Sequence, residues 1–484
     1  MTRSILSASL VRPIWQHGTL RIEGPDEDAF TLGLSALTRL GSQVRVEGRR
    51  ALQRLHLVGS FPAETDWAFA EALGASKLEV RRHPPTSLGV WGALAAAAHD
   101  EGSTGREAVV CADVAAIGPE ALGTRKVRHG AGAAAFLFGD EPGLAVLRHG
   151  FHGNAPGRAP SMKSSIAGWL DDVELAPARG NGEVVFEVED DAPRWHAAWE
   201  EAAPGLTVTI LEFPSARAGP APTLRAARLL WELGRRLRSG GSGIVAEATR
   251  ARSGFAGFRL DGPVRWLGSW GALSPGFGLP TPRFLERISG LDAVSQGAYV
   301  PHPRYLENLA SRWRLMGERC AHCRALTFPI TGRCRSCDRS DGLHAEALPR
   351  TGLEVESVTT ISPAAQPAEF DTVVDAAGGY DVAVVALGEG VRATVQLTDA
   401  TPGRLRIGDR VSLALRRLYP MEGEWRYGLK AVPQPAEVSP AKPRRLPTAT
   451  VSRARRPSSE APTAHRATPH TRAGRAGARL RRAR

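Results

Sequence analysis

The sequence predicts a duplicated α/β layered domain, then a four-cysteine ribbon, a small all-β barrel and a basic tail. Three observations support this fold class. Residues 1–280 alternate Ala/Leu-rich helical runs with short apolar strands, two C-x-x-C pairs stand ten residues apart, and Val/Thr alternation with Gly-bearing turns begins at Leu343. Hydrophobic residues make up 42% of the 484 residues, which is enough to fill cores and excludes wholesale disorder.

The N-terminal elements follow from periodicity. Period-2 and continuous apolar runs predict strands, and apolar residues at helical spacing predict helices. The strands are expected at Leu55–Gly59, Ala108–Val114 and Thr207–Leu211, and the helices at Asp28–Leu40, Asp66–Leu73, Ser87–Ala98 and Thr223–Leu237.

An internal repeat strengthens this interpretation. A helix, a Gly/Ser turn, a buried strand and a Gly/Ala-rich strand occur in GVWGALAAAAHDEGSTGREAVVCADV followed by GAGAAAFLFGDEPG. They occur again in TLRAARLLWELGRRLRSGGSGIVAEATR followed by SGFAGFRLDGP. Such self-similarity predicts a duplicated α/β unit. Chance similarity among Ala-rich helices is the alternative explanation.

Changes in composition divide the chain into five parts. We expect the α/β domain over 1–280 and a Gly/Pro-rich linker over 281–302. A helix from Pro303 to Met316 leads into the ribbon, so that helix plus ribbon occupy 303–342. The barrel follows over 343–433, and a disordered Arg/Pro-rich tail without periodicity occupies 434–484.

Four of the five cysteines form a predicted metal site, with ligands Cys320, Cys323, Cys334 and Cys337. Each C-x-x-C makes a knuckle that aims two thiolates at one point, and zinc takes four such ligands tetrahedrally. A redox pair or unconnected thiols is the alternative. With no coordination position left open, the zinc is expected to be structural, and flanking arginines are expected to offset part of the thiolate charge. Cys111, in an apolar run, is expected to be a packed core thiol.

The basic charge is concentrated in the tail. The chain has a net charge of +12, of which residues 436–484 carry +11, so residues 1–435 are nearly neutral. The tail has no aromatic residue for stacking, so charge alone would give nonspecific, salt-dependent anion binding; a solvated extension without a partner is the alternative. Apolar runs are too short to span a bilayer, and the N-terminus lacks a signal-peptide core, so we expect a cytoplasmic protein.

The C-terminal part resembles the zinc-ribbon plus OB-fold proteins that accompany thiolase-type enzymes. The matching features are the helix, the four-cysteine ribbon with Phe328-Pro329 after the first knuckle, and the barrel ending GDRVSLALRRLYPMEGEWRYGLKAV. Residues 1–280 resemble the thiolase superfamily, nearest to 3-hydroxy-3-methylglutaryl-CoA synthase and ketoacyl synthase III. There the matching segments are GPDEDAFTLGLSAL, AVVCADV, GAGAAAFLFG and the repeat, in that order along the chain.

The resemblance implies where acyl-transfer groups should lie, and this chain departs from the pattern there. The superfamily uses a Cys at a helix N-terminus, where the dipole lowers the thiol pKa. Here that position falls at Thr86, with Ser87 beside it, and Glu212 stands where a His is expected. Thr86 and Ser87 can equally be a helix N-cap, and Glu212 a solvated strand end. Ordinary synthase or thiolase activity is therefore in doubt.

The resemblance implies a function on acyl-CoA, with a coenzyme A thioester as substrate or ligand. We expect an acyl-CoA-binding protein that acts in, or supports, carbon–carbon bond formation or cleavage. A catalytically silent scaffold for a thiolase or aldolase is the first alternative, and a nucleic-acid-binding ribbon/OB protein is the second. The resemblance also implies a homodimer or a complex with a thiolase- or aldolase-like subunit.

Overall fold

The computed structural model describes residues 3–114 with short gaps, 131–140, 145–152, 183–188, 192–202, 207–212, 243–249, 254–261, and 300–434 except 363–377 and 422–423. The chain divides into two units, Met1–Pro435 and Ala436–Arg484. The first unit contains every element described below. The predicted helix Thr223–Leu237, residues 281–299 of the predicted linker and residues 435–484 of the predicted tail lie outside the described residues, and the domain boundaries stay predictions.

The N-terminal part of the first unit alternates strands and helices. Its strands are β1 (Ser4–Val11), β2 (Gln16–His17), β3 (Leu20–Arg21), β4 (Leu52–Gly59), β5 (Glu79–His83), β6 (Arg106–Asp113), β7 (Gly132–Gly139), β8 (Ala145–His152), β9 (Glu183–Val188), β10 (Thr207–Glu212), β11 (Gly243–Thr249) and β12 (Gly254–Asp261). Its described helices are α1 (Ala29–Thr38), α2 (Thr65–Leu73), α3 (Ser87–His99) and α4 (Ala192–Ala202).

The strand order demonstrates the duplication. Ten strands form one sheet in the order β10-β9-β11-β12-β8-β1-β7-β6-β4-β5. Within β5-β4-β6-β7-β1, the first two pairings are parallel and the last two antiparallel. The order β10-β9-β11-β12-β8 repeats this pattern with strands in the same sequence of appearance. The two halves meet where β1 pairs with β8. Each half is thus one copy of the predicted repeat.

Apolar composition explains the central position of β6 and β7. Every residue of both strands is buried, and α1 packs across them. A capping box starts α1, in which Asp28 Oδ1 accepts from the Thr31 N–H at 2.8 Å and Thr31 Oγ1 accepts from the Asp28 N–H at 2.9 Å. Gly33 allows close packing, because a Cβ there would lie 3.0 Å from Val110 Cγ1.

The C-terminal part begins with two short helices, α5 (His302–Glu307) and α6 (Leu309–Arg314). The sequence predicts one helix from Pro303 to Met316. Asn308 divides it, because its backbone (φ −104°, ψ 13°) departs from helical values while its side-chain amide donates to the Arg304 carbonyl at 2.7 Å. The bend turns α6 so that Trp313 is buried.

A ribbon and a barrel follow. The ribbon sheet has the order β14-β13-β15, from β13 (Met316–Cys320), β14 (Leu326–Thr327) and β15 (Leu343–Ala347). The barrel sheet has the order β18-β17-β16-β19-β20, from β16 (Leu353–Ile361), β17 (Tyr380–Gly388), β18 (Val391–Gln396), β19 (Arg410–Met421) and β20 (Glu424–Pro433). A bridge between Leu397 and Ala431 brings the end of β18 to β20 and nearly closes the barrel.

Two apolar cores hold these parts together. The barrel core also includes Leu315 and Leu348, which flank the ribbon, so ribbon and barrel share one interior. The N-terminal core includes Phe30 and Phe69 together with Trp313 of α6 and Leu415 of β19. The N-terminal part and the barrel are therefore packed into one structure. The predicted fold class, a thiolase-like duplicated α/β domain with a four-cysteine ribbon and an OB-fold barrel, is confirmed.

None of the described helices is long and apolar enough to cross a membrane.

Candidate functional site

The four predicted metal ligands converge. The Sγ atoms of Cys320, Cys323, Cys334 and Cys337 all lie within 4.8 Å of one another. Two pairs are closer, at 3.7 Å for Cys320–Cys337 and 3.5 Å for Cys323–Cys334. A tetrahedral zinc ion with Zn–S bonds of about 2.3 Å requires S–S separations of about 3.8 Å. The four thiols thus fit a zinc ion, with no vertex left for a substrate.

Backbone geometry makes the two knuckles equivalent. In the first, the Arg324 N–H donates to the Cys320 carbonyl and the Cys320 N–H donates to the Ala325 carbonyl. In the second, the Asp338 N–H donates to the Cys334 carbonyl and the Cys334 N–H donates to the Arg339 carbonyl. Arg324 and Asp338 have φ values of 62° and 65°. This left-handed residue after each C-x-x-C closes the turn that points both thiols inward.

Local amides also favour thiolates. The backbone N–H groups of Cys337 and Ser336 lower the pKa of Cys334 to about 6. The Cys323 backbone N–H does the same for Cys320, whose pKa is also lowered. Hydrogen bonds to the charged form favour it, which prepares these sulfurs for a cation.

The arginines near the ribbon mainly pair with carboxylates. Arg319 binds Glu346 and Glu389, the latter at 2.8 Å, and Arg339 binds Asp341 at 2.8 Å. Arg339 also interacts electrostatically with Cys337 and Cys320, and the expectation that the flanking arginines offset part of the thiolate charge stays a prediction. The pairs are exposed or half-exposed and contribute little to stability.

The predicted acyl-transfer positions lie at the edge of what is described. Thr86 lies outside the described residues, and Ser87 is the first residue of α3. Glu212 is the last residue of β10, an edge strand of the described sheet. Its side chain lies outside what the structure describes. Their roles stay predictions. Cys111 is fully buried in β6, and burial raises the pKa of its thiol well above the usual value, as expected for a core thiol.

A buried polar cluster lies beneath α3 and was missed by sequence reasoning. Glu107 and His56 are fully buried, and His56 Nε2 lies 2.9 Å from Glu107 Oε2. The other carboxylate oxygen, Oε1, accepts from Arg3 at 2.7 Å and Arg54 at 2.8 Å. His56 Nδ1 lies 2.9 Å from His83 Nε2. Because a carboxylate only accepts, His56 Nε2 donates to Glu107, and the remaining hydrogen bond joins His56 to His83.

This cluster explains His83, which the sequence presents as an isolated histidine. Burial lowers the pKa of His83 to about 4, with a further contribution from His56. His83 is therefore neutral near pH 7 and hydrogen-bonded to His56. The alternating positions of His56 and Glu107 on neighbouring parallel strands were the only sequence signal.

A second buried polar cluster joins the N-terminal part to the barrel. Lys430 Nζ of β20 lies 2.9 Å from Asp26 Oδ2, and both residues are buried. Arg416 of β19 lies 3.2 Å from Glu27 and 3.0 Å from Asp399.

Backbone contacts reinforce this junction. The Arg417 N–H donates to the Asp26 carbonyl at 2.9 Å, and the Arg417 guanidinium donates to the Glu27 carbonyl. Tyr427 Oη donates to Asp28 Oδ2 at 2.7 Å. Asp26–Asp28, just before α1, thus insert into a basic face of β19 and β20. Arg416 and Arg417 are the basic pair of the barrel sequence, and they serve this interface instead of facing a polynucleotide.

Burial removes the charged groups of this junction from water and shifts their pKa values. Burial raises the pKa of Glu27 to about 8, although Arg416 acts in the opposite direction. Asp26 keeps a lowered pKa, because Lys430 and Arg416 outweigh its burial. Burial lowers the pKa of Lys430. Removing one partner of such a pair leaves the other as an uncompensated buried charge.

Comparison with known proteins identifies relatives of part of the chain. No protein-family model matches. The chain is 30% identical over 129 residues to a DUF35 domain-containing scaffold protein of Methanothermobacter thermautotrophicus, covering 92% of that protein and 26% of this chain. The chain belongs to the DUF35 family. A second DUF35 domain-containing scaffold protein, from Methanocaldococcus jannaschii, is 29% identical over 111 residues, covering 74% of that protein.

Solved structures match both parts at low sequence identity. An Ltp2-ChsH2(DUF35) aldolase chain is 24% identical, with 98% of it covered by 28% of this chain at a TM-score of 0.23. The 3-oxoacyl-(acyl carrier protein) synthase III of Pseudomonas aeruginosa is 16% identical, with 99% of it covered by 54% of this chain at a TM-score of 0.38. MvaS in complex with 3-hydroxy-3-methylglutaryl coenzyme A is 14% identical, with 94% of it covered by 62% of this chain at a TM-score of 0.39.

Proposed function

We propose that this protein binds acyl-CoA and that its DUF35 part serves its own thiolase-like domain in carbon–carbon bond formation or cleavage on acyl-CoA thioesters. The observation that carries the proposal is the buried junction between Asp26–Asp28 and strands β19 and β20. It joins a DUF35 barrel to a thiolase-like domain within one chain. In this proposal the ribbon holds a structural zinc ion, and the coenzyme A thioester is a substrate or ligand.

The chemistry of the junction supports a permanent association. The apolar core that the two parts share, which includes Trp313 and Leu415, resembles an obligate interface more than a transient one. The barrel face formed by β19 and β20 is engaged by the same chain. A partner subunit, whether a second copy or a separate thiolase- or aldolase-like protein, would therefore use another face.

The cysteine inventory favours a supporting role over cysteine-based catalysis. The sequence has five cysteines, of which four converge in the ribbon. The fifth, Cys111, is buried within a strand with a raised pKa. A thiolate nucleophile at a helix N-terminus is what this chemistry requires. A scaffold that holds acyl-CoA for an active subunit is therefore the second candidate function.

Calorimetry with the full-length protein tests the proposal. Acetyl-CoA, acetoacetyl-CoA and longer acyl-CoA esters are titrated separately into the protein, and we expect saturable heat with at least one of them. The matched control is titration of the corresponding free carboxylate. Absence of heat with every ester would leave the fold intact and remove the acyl-CoA function.

Turnover distinguishes an enzyme from a scaffold. If the protein itself reacts with the bound ester, Thr86→Ala and Glu212→Ala are expected to reduce turnover, because they occupy the positions that the resemblance assigns to nucleophile and base. If the protein is a scaffold, the pure protein shows no turnover, and neither variant changes its binding of the ester. An active thiolase- or aldolase-like subunit then co-purifies with it.

A further inference from the structure

A cavity of about 310 Å³ lies beside the junction, between α2, helices α5 and α6, and β20. This volume is in the range of small-molecule sites. Most of its wall is aromatic, and the ring-bearing residues are Phe30, Trp67, Tyr305, Trp313, Trp425 and Tyr427. Both the N-terminal part and the DUF35 part supply rings. Separating the two parts would therefore destroy the cavity.

The rings are arranged around one stacked pair. Trp67 and Trp313 are stacked, with centroids 5.5 Å apart and planes inclined by 19°. Tyr427 presents an edge to Trp313 at 5.9 Å and 80°, and Tyr305 does so at 6.4 Å and 67°. Trp313 is buried, whereas Trp67 is 49% exposed. A large indole is thus held half in solvent where the cavity begins.

The hydrogen-bonding groups of the other rings are already engaged. Trp313 Nε1 donates to Tyr305 Oη at 3.0 Å and to the Tyr427 carbonyl at 3.1 Å. The Tyr427 N–H donates to Tyr305 Oη at 2.9 Å. These bonds fix the orientation of the buried rings, so the cavity wall is preorganised.

Polar groups make the cavity unlike a simple apolar gap. His302 lines it, and its Nδ1 is buried without a hydrogen-bond partner among the described residues. The Arg426 guanidinium lies 5.2 Å from the centre of the Tyr305 ring and 2.9 Å from Glu424.

We propose that this cavity binds a planar aromatic ring. The ring would pack against the Trp67–Trp313 pair. An aliphatic chain would fill the same space without the stacking interaction that a ring makes with an aromatic side chain. The source of the ring rests on the proposed function: it is either the adenine of coenzyme A or an aromatic acyl group.

Calorimetry with fragments tests the cavity and separates the two sources. Adenosine 3′,5′-bisphosphate presents the adenine, phenylacetamide presents an aromatic ring with a polar atom, and hexanamide is the aliphatic control. Binding of the bisphosphate alone assigns adenine, and binding of phenylacetamide alone assigns an acyl ring. Hexanamide binding as tightly as the ring probes, or no probe binding, would overturn the proposal.

Variants place the binding in this cavity. Trp67→Ala is expected to weaken the ring probe roughly ten-fold, because stacking on an aromatic side chain is lost. His302→Ala is expected to weaken it as well. Ile407→Ala is the matched control, because Ile407 is 68% exposed and does not line the cavity, and it should leave affinity unchanged.

Folding and function are separated by the same experiment. Circular dichroism should show unchanged melting for Trp67→Ala and His302→Ala. If acyl-CoA binds the parent protein and both variants with equal affinity, the cavity proposal fails while the proposed function stands. If neither acyl-CoA nor any ring probe binds the parent protein, both fail.

Discussion

The buried pair between Asp26 and Lys430 allows a direct test of how the DUF35 barrel is attached. The two side chains lie 2.9 Å apart, and both are almost completely buried. Asp26→Ala leaves the Lys430 ammonium without its carboxylate in the interior. Breaking such a pair from one side costs about 3–5 kcal/mol of the free energy of unfolding. We expect Lys430→Ala to cost less than Asp26→Ala, because Arg416 and Thr398 still interact with the buried Asp26 carboxylate.

A double-mutant cycle isolates the pair. Asp26→Ala combined with Lys430→Ala should cost less than the sum of the two single changes, because neither charge of the pair is then left without its partner. The control is Arg304→Ala, since Arg304 and Glu307 also lie 2.9 Å apart but are 73% and 58% exposed. That change should cost less than about 1 kcal/mol.

Urea unfolding followed by circular dichroism measures all these variants. We expect the loss in free energy of unfolding to be much larger for the buried ion pair than for the exposed pair of equal length, because only burial distinguishes them. This expectation would be refuted if Asp26→Ala unfolded within about 0.5 kcal/mol of the parent protein, as an exposed pair does.

Three further outcomes follow from the same structure. Cys334→Ser should abolish zinc binding and destabilise the ribbon, since structural zinc supplies on the order of 10 kcal/mol of folding free energy. Metal analysis measures the zinc content, with Cys111→Ala as a control that should retain zinc. Full zinc content in Cys334→Ser would contradict the prediction. Glu27 has a pKa raised to about 8 in the folded state, so it takes up a proton on folding, and the free energy of unfolding should fall as pH rises from about 4.5 to 8. The urea midpoints measured at these two pH values should differ less in Glu27→Gln than in the parent protein. An equal difference in the two proteins would argue against this assignment. Trp313→Ala should cost about 3–5 kcal/mol because a fully buried indole is lost; a urea midpoint equal to that of the parent protein would show that the shared core is not needed.

The ribbon was predictable from sequence because its geometry is local. Each knuckle is closed by bonds within six residues, so the C-x-x-C spacing alone specifies where the thiols point. The duplicated sheet was predictable for a related reason, since the repeat reappears as the same succession of parallel and antiparallel pairings.

The junction was not predictable from local pattern. Tyr427 and Asp28 are 399 positions apart in the chain, and a run of charged residues before a helix usually indicates a solvated cap. Arg416 and Arg417 are likewise buried, although nothing in the local sequence marks them as interior residues. Only the packing of β19 and β20 against α1 shows that the basic side chains of these strands pair with the acidic residues before the helix.

The Glu107 cluster escaped prediction for a third reason. Glu107 and His56 lie on two different strands, β6 and β4, each of which mixes apolar and charged residues. Strand pairing brings them together beneath α3, and no spacing motif in the sequence marks such a cross-strand contact. The pairing partners of parallel strands are set by the whole sheet.

Hydrogen exchange with and without acyl-CoA tests the central claim most directly, because that claim is that one composite structure binds the ligand. With the ester that gives the strongest calorimetric signal, exchange should slow in segments of both the thiolase-like domain and the DUF35 barrel, including α2 and β20. Unchanged exchange throughout both parts at saturating acyl-CoA would contradict it.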